Sequence, residues 1–449
     1  MGPDADMIEK RRITDVMYVH SKKATLSGTV TVPGSKSHTI RAVMLGLLAE
    51  GTSVIHNPLP SKDGLASVYA ARTLGANVTI DEEANTWIVE GLGGRPKAPA
   101  GVIDTLNSGT TTSFALGICG LAEGYAVITG DEQICRRPWG GQTRAMQELG
   151  AFCLHTRPGN ECPPIVVGGP MKGGVCHLNG FSSQHISGIL LPAPMLDPGC
   201  ETEIRVENPL ETPYLQMTID WMHRYGAELE VSEDYRFFRV KGGQKYLAQE
   251  STIPSDWSGV AFPLVAAVCT PSKLVISGLD FDDSQGDKAV VDILIGMGAD
   301  ITKDHENGCL IIRGGKPLHG TTVDMDKIPD SLPALSVAAA YANGDTLFTN
   351  LAHVRVKESD RVAVMQEVLG MCGADIDITA DSMTVHGGKP LHGASVPSYG
   401  DHRVAMAMAV CGLMCEGEME IADAECASVS FPHFYETMNK AGAGFSVKD

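Results

Sequence analysis

Apolar residues spaced three and four apart recur in six stretches of the chain, and each stretch runs into a Gly-Ala pair followed by a strand-like run. The pairs are Gly75-Ala76, Gly150-Ala151, Gly226-Ala227, Gly298-Ala299, Gly373-Ala374 and Gly442-Ala443. In YAARTLGANVTI or DWMHRYGAELEV the pattern predicts an amphipathic helix, stopped by a glycine able to take the left-handed conformation. Alternating apolar residues then predict a strand. Upstream of each pair lies a second repeated piece: a strand, a polar turn, a small-residue-rich helix and a break. The polar turns are PGSKS, LNSGTTT, NGFSSQ, PSDWS, IPDS and YGDHR, anchored on Ser37, Asn107, Ser182, Asp256, Asp330 and Asp401. Each puts a short polar side chain where it can cap unpaired backbone N–H groups at a helix start.

The Gly-Ala pairs stand 75, 76, 72, 75 and 69 residues apart. A period held across the whole chain predicts one α/β unit copied six times. Three units per lobe give two lobes, with a break near QESTIPSD at 248–255. The expected division is residues 34–252 for units one to three, and residues 14–33 plus 253–449 for units four to six. The strand at roughly 25–33 then pairs with the second lobe, so the chain crosses between lobes twice. Residues 1–13 read as a polar, frayed tail.

Charge narrows the function classes. The net charge of −19 argues against nucleic acid and against an anionic membrane surface. The twelve cysteines show no CxxC or metal-ligand spacing, HExxH is absent, and no apolar run approaches the roughly 18 residues of a membrane span. The chain therefore reads as a cytoplasmic protein with reduced thiols and no metal-ligand spacing. Against this acidic background, cations gather in and near the polar turns: Lys36, Arg41 and Arg403, with Arg136, Arg137, Lys357 and Arg361 nearby. Helix N-termini carry positive partial charge and unpaired N–H groups, so several of them with added cations predict a site for small anions.

Two stretches are more specific. VPGSKSHTIRAVMLGLLAEGTSVI (32–55) and VRVKESDRVAVMQEVLGMCGADI (354–376) resemble the two signatures of the 5-enolpyruvylshikimate-3-phosphate synthases. The likeness continues through NSGTT, the RRP ending at Pro138, SSQ, QGD, IPD, DHR and SFP, in order, from about residue 24 onward. It implies a two-lobed enolpyruvyl transferase fold of six βαβαββ units, three per lobe about a pseudo-threefold axis. The implied reaction moves the carboxyvinyl group of phosphoenolpyruvate onto the 5-hydroxyl of shikimate 3-phosphate, by addition and then elimination of phosphate. The pathway implied is the shikimate route to chorismate and the aromatic amino acids, and the enzyme implied is a monomer that acts on small molecules with no metal and no organic cofactor.

The same resemblance assigns roles by position. Lys36 and Arg137 would hold the phosphate of phosphoenolpyruvate, Arg361 and Arg403 its carboxylate, with Gly109 and Gln184 beside them. Ser37 and Arg41 would hold the shikimate carboxylate. Ser182, Ser183, Gln184 and Lys357 would meet its phosphate and ring, with Lys36 and Asp330 at the reacting hydroxyl. Asp330 matches the general base and Glu358 the proton donor, Lys36 lying close to both. Glu358 would then need its pKa raised by burial.

The sequence departs from the family pattern at five places. Ser113 stands where an Arg is usual, Cys135 where a second Arg or Lys is usual, Val429 where a Lys precedes SFP, and His353 where Asn is usual. Glu211, in ETPY, stands where a phosphate-binding Ser is expected. A carboxylate about 4 Å from a phosphate costs several kcal/mol at moderate dielectric. Either Glu211 turns away or pairs with a cation, or the acceptor is another alcohol such as a sugar or nucleotide. A binding protein that has lost catalysis is the remaining class, and the retention of Lys36, Asp330 and Glu358 argues against it.

Overall fold

A computed structural model describes residues 16–448. The tail expected over 1–13 lies outside the described residues. All six Gly-Ala glycines have positive φ: Gly75 108°, Gly150 92°, Gly226 91°, Gly298 105°, Gly373 92° and Gly442 102°. The alanine after each donates its N–H five residues back, as Ala227 does to the Met222 carbonyl at 3.0 Å and Ala151 to Met146 at 2.9 Å. A helix stop of this kind satisfies carbonyls that would otherwise be orphaned, and its left-handed residue favours glycine.

Six four-stranded sheets follow, and all have one topology: a parallel pair at one edge, then two antiparallel pairings. In the second unit, for example, Ile103–Asp104 pairs parallel with Gly124–Thr129, which pairs antiparallel with Ile165–Gly169, and that with Phe152–His155. Helices Gly109–Cys119 and Gly140–Glu148 make the connections, so the unit reads βαβαββ. The first helix of each unit is small, apolar and buried: Lys36–Leu48, Gly109–Cys119, Ser183–Leu190, Trp257–Cys269, Leu332–Tyr341 and His402–Gly412. In the second lobe each of these three helices packs on the other two. Where Gly109–Cys119 meets Ser183–Leu190, a Cβ on Gly117 would overlap the Gly188 carbonyl, so glycine sets that approach.

The apolar core divides in two. One core draws on residues between Ile40 and Ile253, the other on Val19 to Val32 and Trp257 to Phe445. The chain crosses between them twice by exchanging strands. Ser27–Thr31 pairs parallel with Lys273–Ser277 in the fourth sheet, and Glu250–Thr252 pairs parallel with Thr52–His56 in the first. The crossings run side by side: Gly34 bridges Ser255, the Ser35 N–H donates to the Pro254 carbonyl at 2.7 Å, and the Asp256 N–H to Pro33 at 3.0 Å. Tyr18–Lys22 closes the sixth sheet between Glu418–Ala422 and Ser446–Lys448, a pairing the repeat pattern did not predict.

The capping expectation needs correction at several anchors. Asp256 caps its helix through the Ser258 and Gly259 N–H groups, and Asp401 caps through Arg403. Ser37 is the second residue inside its helix, and Ser182 holds the cap position without a side-chain bond. Asn107 reaches Asp131 at 2.6 Å and Gln133 at 2.9 Å while Ser108 does the capping. Asp330 lies within a short 3₁₀ turn and spends its carboxylate on arginines.

Candidate active site

The N-terminal ends of the buried helices bring the turns to one cleft between the two cores. It has two chambers. The smaller, about 40 Å³, is lined among others by Lys36, Ser37, Arg41, Ser183, Asp330 and Glu358. The larger, about 220 Å³, holds Trp139, Arg144, Ser182, His185 and His353 among its walls. Arg137, Gln184 and Lys357 line both, so the chambers meet there. Gly109 stands at this junction: a Cβ on it would lie 2.9 Å from Arg137 Nη1 and 3.0 Å from Gln184 Oε1.

Two carboxylates thread three of the expected cations together, and a third carboxylate holds Lys36. Glu358 accepts from Arg361 Nη2 at 2.6 Å and faces Arg137 Nη2 at 3.4 Å. Asp330 accepts from Arg361 Nη1 at 2.7 Å and from Arg403 Nη2 at 3.0 Å. Lys36 Nζ pairs with Asp63 at 3.1 Å. Arg361 is fully buried, and its remaining Nε bonds Asp401 at 2.9 Å. Arg361 and Arg403 therefore stand behind Glu358 and Asp330 and line neither chamber. Four buried guanidinium nitrogens, Nε and Nη2 of Arg137 with Nε and Nη1 of Arg403, have no hydrogen-bond partner among the described residues. Buried donors are normally satisfied, so Arg137 Nε with Nε and Nη1 of Arg403 are spare capacity for an anion, and Arg137 Nη2, in a 3.4 Å ion pair with Glu358, could be recruited by one.

Burial raises the proton affinity of Glu358, but Arg361, Arg137 and Lys36 outweigh it and hold the carboxyl well below the ordinary range. The expected upward shift is thus reversed, because three cations face a group that burial alone would have neutralised. Asp330 behaves alike: burial pushes it up, and Arg403, Arg361 and Lys357 bring it far below. Lys36 is lowered by burial yet raised overall by Asp63 and Glu358, so it keeps its charge.

Among the acceptor-side residues, Arg41 is buried with Nε on Thr218 Oγ1 at 2.9 Å, Nη1 on the Ser37 carbonyl at 2.9 Å and Nη2 on the Tyr214 carbonyl at 3.0 Å. Burial lowers its pKa to about 10, which leaves it protonated at neutral pH. Glu211 does not turn away. It sits at the start of helix Thr212–Arg224 with φ 54°, accepts from Ser183 N–H at 3.2 Å and Ser183 Oγ at 2.7 Å, and pairs with Lys357 Nζ. A non-glycine residue in this conformation costs about 1–2 kcal/mol, which the bonds to its carboxylate offset. Burial pushes that carboxyl up, and Lys357, His353 and the Ser183 hydroxyl bring it below the ordinary range.

The family model for EPSP synthase (3-phosphoshikimate 1-carboxyvinyltransferase) matches residues 20–438. The chain belongs to the EPSP synthase family. The 3-phosphoshikimate 1-carboxyvinyltransferase of Ruminiclostridium cellulolyticum is 42% identical over 426 residues, covering 95% of this chain and 99% of its own. That of Methanocella arvoryzae is 38% identical over 433 residues, covering 96% and 100%. A solved EPSP synthase from Acinetobacter baumannii superposes with a TM-score of 0.82 at 30% identity, over 97% of this chain and 100% of that one. The two-lobed enolpyruvyl transferase fold is thereby established.

Within this EPSP synthase frame, Arg136 is one cation the sequence grouped wrongly. It points outward and pairs with Glu132 at 3.1 Å, both exposed. The departures are absorbed in different ways. Ser113 is buried with Oγ 2.6 Å from both Gln142 Oε1 and the Gln184 carbonyl, so it fixes the Gln184 backbone. His353 is buried in the wall of the larger chamber, with Nε2 unpartnered among the described residues. Val429 is buried. Sequence reasoning missed Asp63, Asp401, Tyr214 and Asp287. Tyr214 and Asp287 lay inside quoted motifs, ETPY and QGD, and Asp401 was read only as a cap. Asp63 lies in the first turn of helix Lys62–Thr73, whose start no quoted motif covers.

Proposed function

We propose that the chain transfers the carboxyvinyl group of phosphoenolpyruvate to the 5-hydroxyl of shikimate 3-phosphate and releases phosphate. The observation that carries this is the set of four buried guanidinium nitrogens on Arg137 and Arg403 that donate no hydrogen bond among the described residues, arranged around Glu358 and Asp330. Such donors suit a phosphate and a carboxylate held close together. The names of the relatives supply the acceptor.

In this reading Lys36 and Arg137 bind the phosphate of phosphoenolpyruvate beside Gly109 and Gln184, and Arg403 with Arg361 binds its carboxylate. Ser37 and Arg41 take the shikimate carboxylate. Ser182, Ser183, Gln184 and Lys357 take its ring and phosphate. Asp330 removes the 5-hydroxyl proton as oxygen attacks, and Glu358 protonates the methylene carbon. Arg361, Arg137 and Lys36 must loosen their hold on Glu358 before it can carry a proton. Two entering anions that share those cations do this, so substrate binding itself raises the proton affinity of Glu358. Glu211 enters with its charge already balanced by Lys357, which removes most of the repulsion a bare carboxylate would exert on the acceptor phosphate.

The lobes comprise residues 34–252 and residues 14–33 plus 253–449, a division the two separate cores support. The enzyme is monomeric and cytoplasmic, needs no cofactor, and binds neither nucleic acid nor membranes. The net charge of −19 speaks against nucleic acid and anionic membranes, and twelve cysteines, all unpaired, suit a reducing compartment. No helix among the described residues is long and apolar enough to cross a membrane. Phosphate release from phosphoenolpyruvate, measured with shikimate 3-phosphate and with other alcohols, tests the reading. Release only with a sugar or nucleotide would overturn it.

A further inference from the structure

One buried carboxyl beside the reacting groups has no task in the transfer just described. Asp287 is 1% exposed, in the turn Gly286–Lys288. Its Oδ1 accepts from Ser331 Oγ at 2.7 Å and its Oδ2 from Tyr214 Oη at 2.9 Å. The same phenol oxygen lies 3.4 Å from Asp330 Oδ2, so one hydroxyl spans two carboxyls. Asp330 is gripped by two arginines, whereas no Lys or Arg among the described residues forms an ion pair with Asp287.

We propose that Tyr214 and Asp287 form a proton relay that takes the acceptor's hydroxyl proton off Asp330 and holds it between the addition and elimination steps. The proposal rests on the transfer reading above. A carboxylate fixed by two guanidiniums can accept a proton in passing but keeps it poorly. Asp287 keeps one well: burial and then the charge of Asp330 raise its pKa to about 7, against the pull of Arg403 and the Ser331 and Tyr214 hydroxyls. Burial, with Asp287 and Asp330 nearby, holds the Tyr214 phenol well above its ordinary range, so it bridges as O–H and is not itself an anion.

The step balances without an oxidant or a second reactant. As the acceptor oxygen bonds carbon, its proton moves to Asp330 Oδ2. Asp330 then gives a proton to Tyr214 Oη while Tyr214 gives its own to Asp287 Oδ2. Asp330 is again a carboxylate, Tyr214 is unchanged and Asp287 is neutral. The charged and titratable groups facing the relay are Asp330, Arg403 and Tyr214, with Asp256 near the phenol. Neighbouring Lys288 is tied to the Phe281 and Asp283 carbonyls, and Asp292 on the following helix pairs with Lys303.

Infrared difference spectra of the folded protein through a pH titration test the proton-holding part without any substrate. The wild-type protein should show a carboxylic acid carbonyl band that titrates near pH 7 and is missing from Asp287→Asn. Asp330→Asn should move that band to lower pH by removing a like charge, and Ser331→Ala to higher pH by removing a donor to the anion. In turnover, Asp287→Asn and Tyr214→Phe should each lower kcat roughly 10²-fold with both KM values unchanged. Asp287→Glu should restore part of the rate, and circular dichroism should confirm that each variant is folded. A wild-type kcat and pH profile in Asp287→Asn would overturn the relay. So would a band absent from the wild type or unmoved by Asp330→Asn. Wild-type protein that shows the band and its shifts but releases no phosphate with shikimate 3-phosphate would overturn the transfer reading alone.

Discussion

The two halves of the cleft handle negative charge in opposite ways. On the phosphoenolpyruvate side, Arg137 and Arg403 keep buried donors unspent, and Glu358 and Asp330 sit between cations that a ligand can recruit. On the acceptor side the chain supplies its own anion. Glu211 already consumes Ser183 and Lys357, two of the residues assigned to the acceptor phosphate. The first half is poised to gain an anion, while the second must exchange one. Cations counted along a sequence therefore say little about a site until each has been matched with the carboxylates beside it.

The largest test of this contrast is Asp330→Asn. It should lower kcat by roughly 10² to 10⁴ while equilibrium binding of both substrates persists, as read by phosphate release and calorimetry. Normal turnover would remove Asp330 as the base. Next is Arg137→Lys, which loses planar two-point contact. The KM for phosphoenolpyruvate should rise by about 10- to 100-fold, the equivalent of about 1.5–3 kcal/mol for bonds to charged groups, with little change for the acceptor.

Glu211→Ser should do the reverse on the other half. Freeing Lys357 and Ser183 should tighten shikimate 3-phosphate by about tenfold or more, leave phosphoenolpyruvate unaffected, and lower the stability of the ligand-free protein because a buried cation loses its partner. Unchanged acceptor affinity would mean that the phosphate binds elsewhere in the larger chamber.

Acidification gives a smaller effect. Burial lowers His185 to about 4 and His402 to about 3, both below the ordinary 6.5. Between pH 6.5 and 4 the unfolded chain binds protons at these sites that the folded chain refuses, so stability is full above 6.5 and falls as pH drops. His353, also lowered by burial, adds to this loss, while the raised carboxyls of Asp287, Asp63 and Asp326 oppose it as pH drops. Replacing one refusing imidazole should therefore show as a difference: from pH 7 to pH 5 the urea midpoint of His402→Asn should move upward relative to the wild type. The smallest effect is a control away from both halves. Gly226→Ala forces alanine into a left-handed helix stop and should cost about 1–2 kcal/mol, with kcat and both KM values intact.

What was legible in the sequence was local chemistry. A glycine with φ near 100° followed by a buried or half-buried alanine depends only on its own turn, so six Gly-Ala pairs reported six helix ends. The Asp256 and Asp401 caps were readable for the same reason. The roles of Asn107 and Asp330 were not, because their partners lie 24 to 73 residues away. Glu358 was expected to shift upward because the proton-donor role demands it, whereas Arg361, Arg137 and Lys36 converge only in the folded chain. Arg136 and Arg137 are neighbours in sequence and face opposite ways. The ion pair of Glu211 with Lys357 joins positions 146 apart and could only be posed as one alternative.

The exchange of strands at Gly34 and Ser255 has a mechanical consequence. Two polypeptide segments laced together by their own backbone bonds can flex as one ribbon, but neither can slip lengthwise past the other. Lys36 and Asp256 lie at the root of this ribbon, and the Lys36 N–H donates to Asp256 at 3.2 Å. Opening should therefore swing Glu211 and Lys357 apart while the lysine beside the tether stays nearly still.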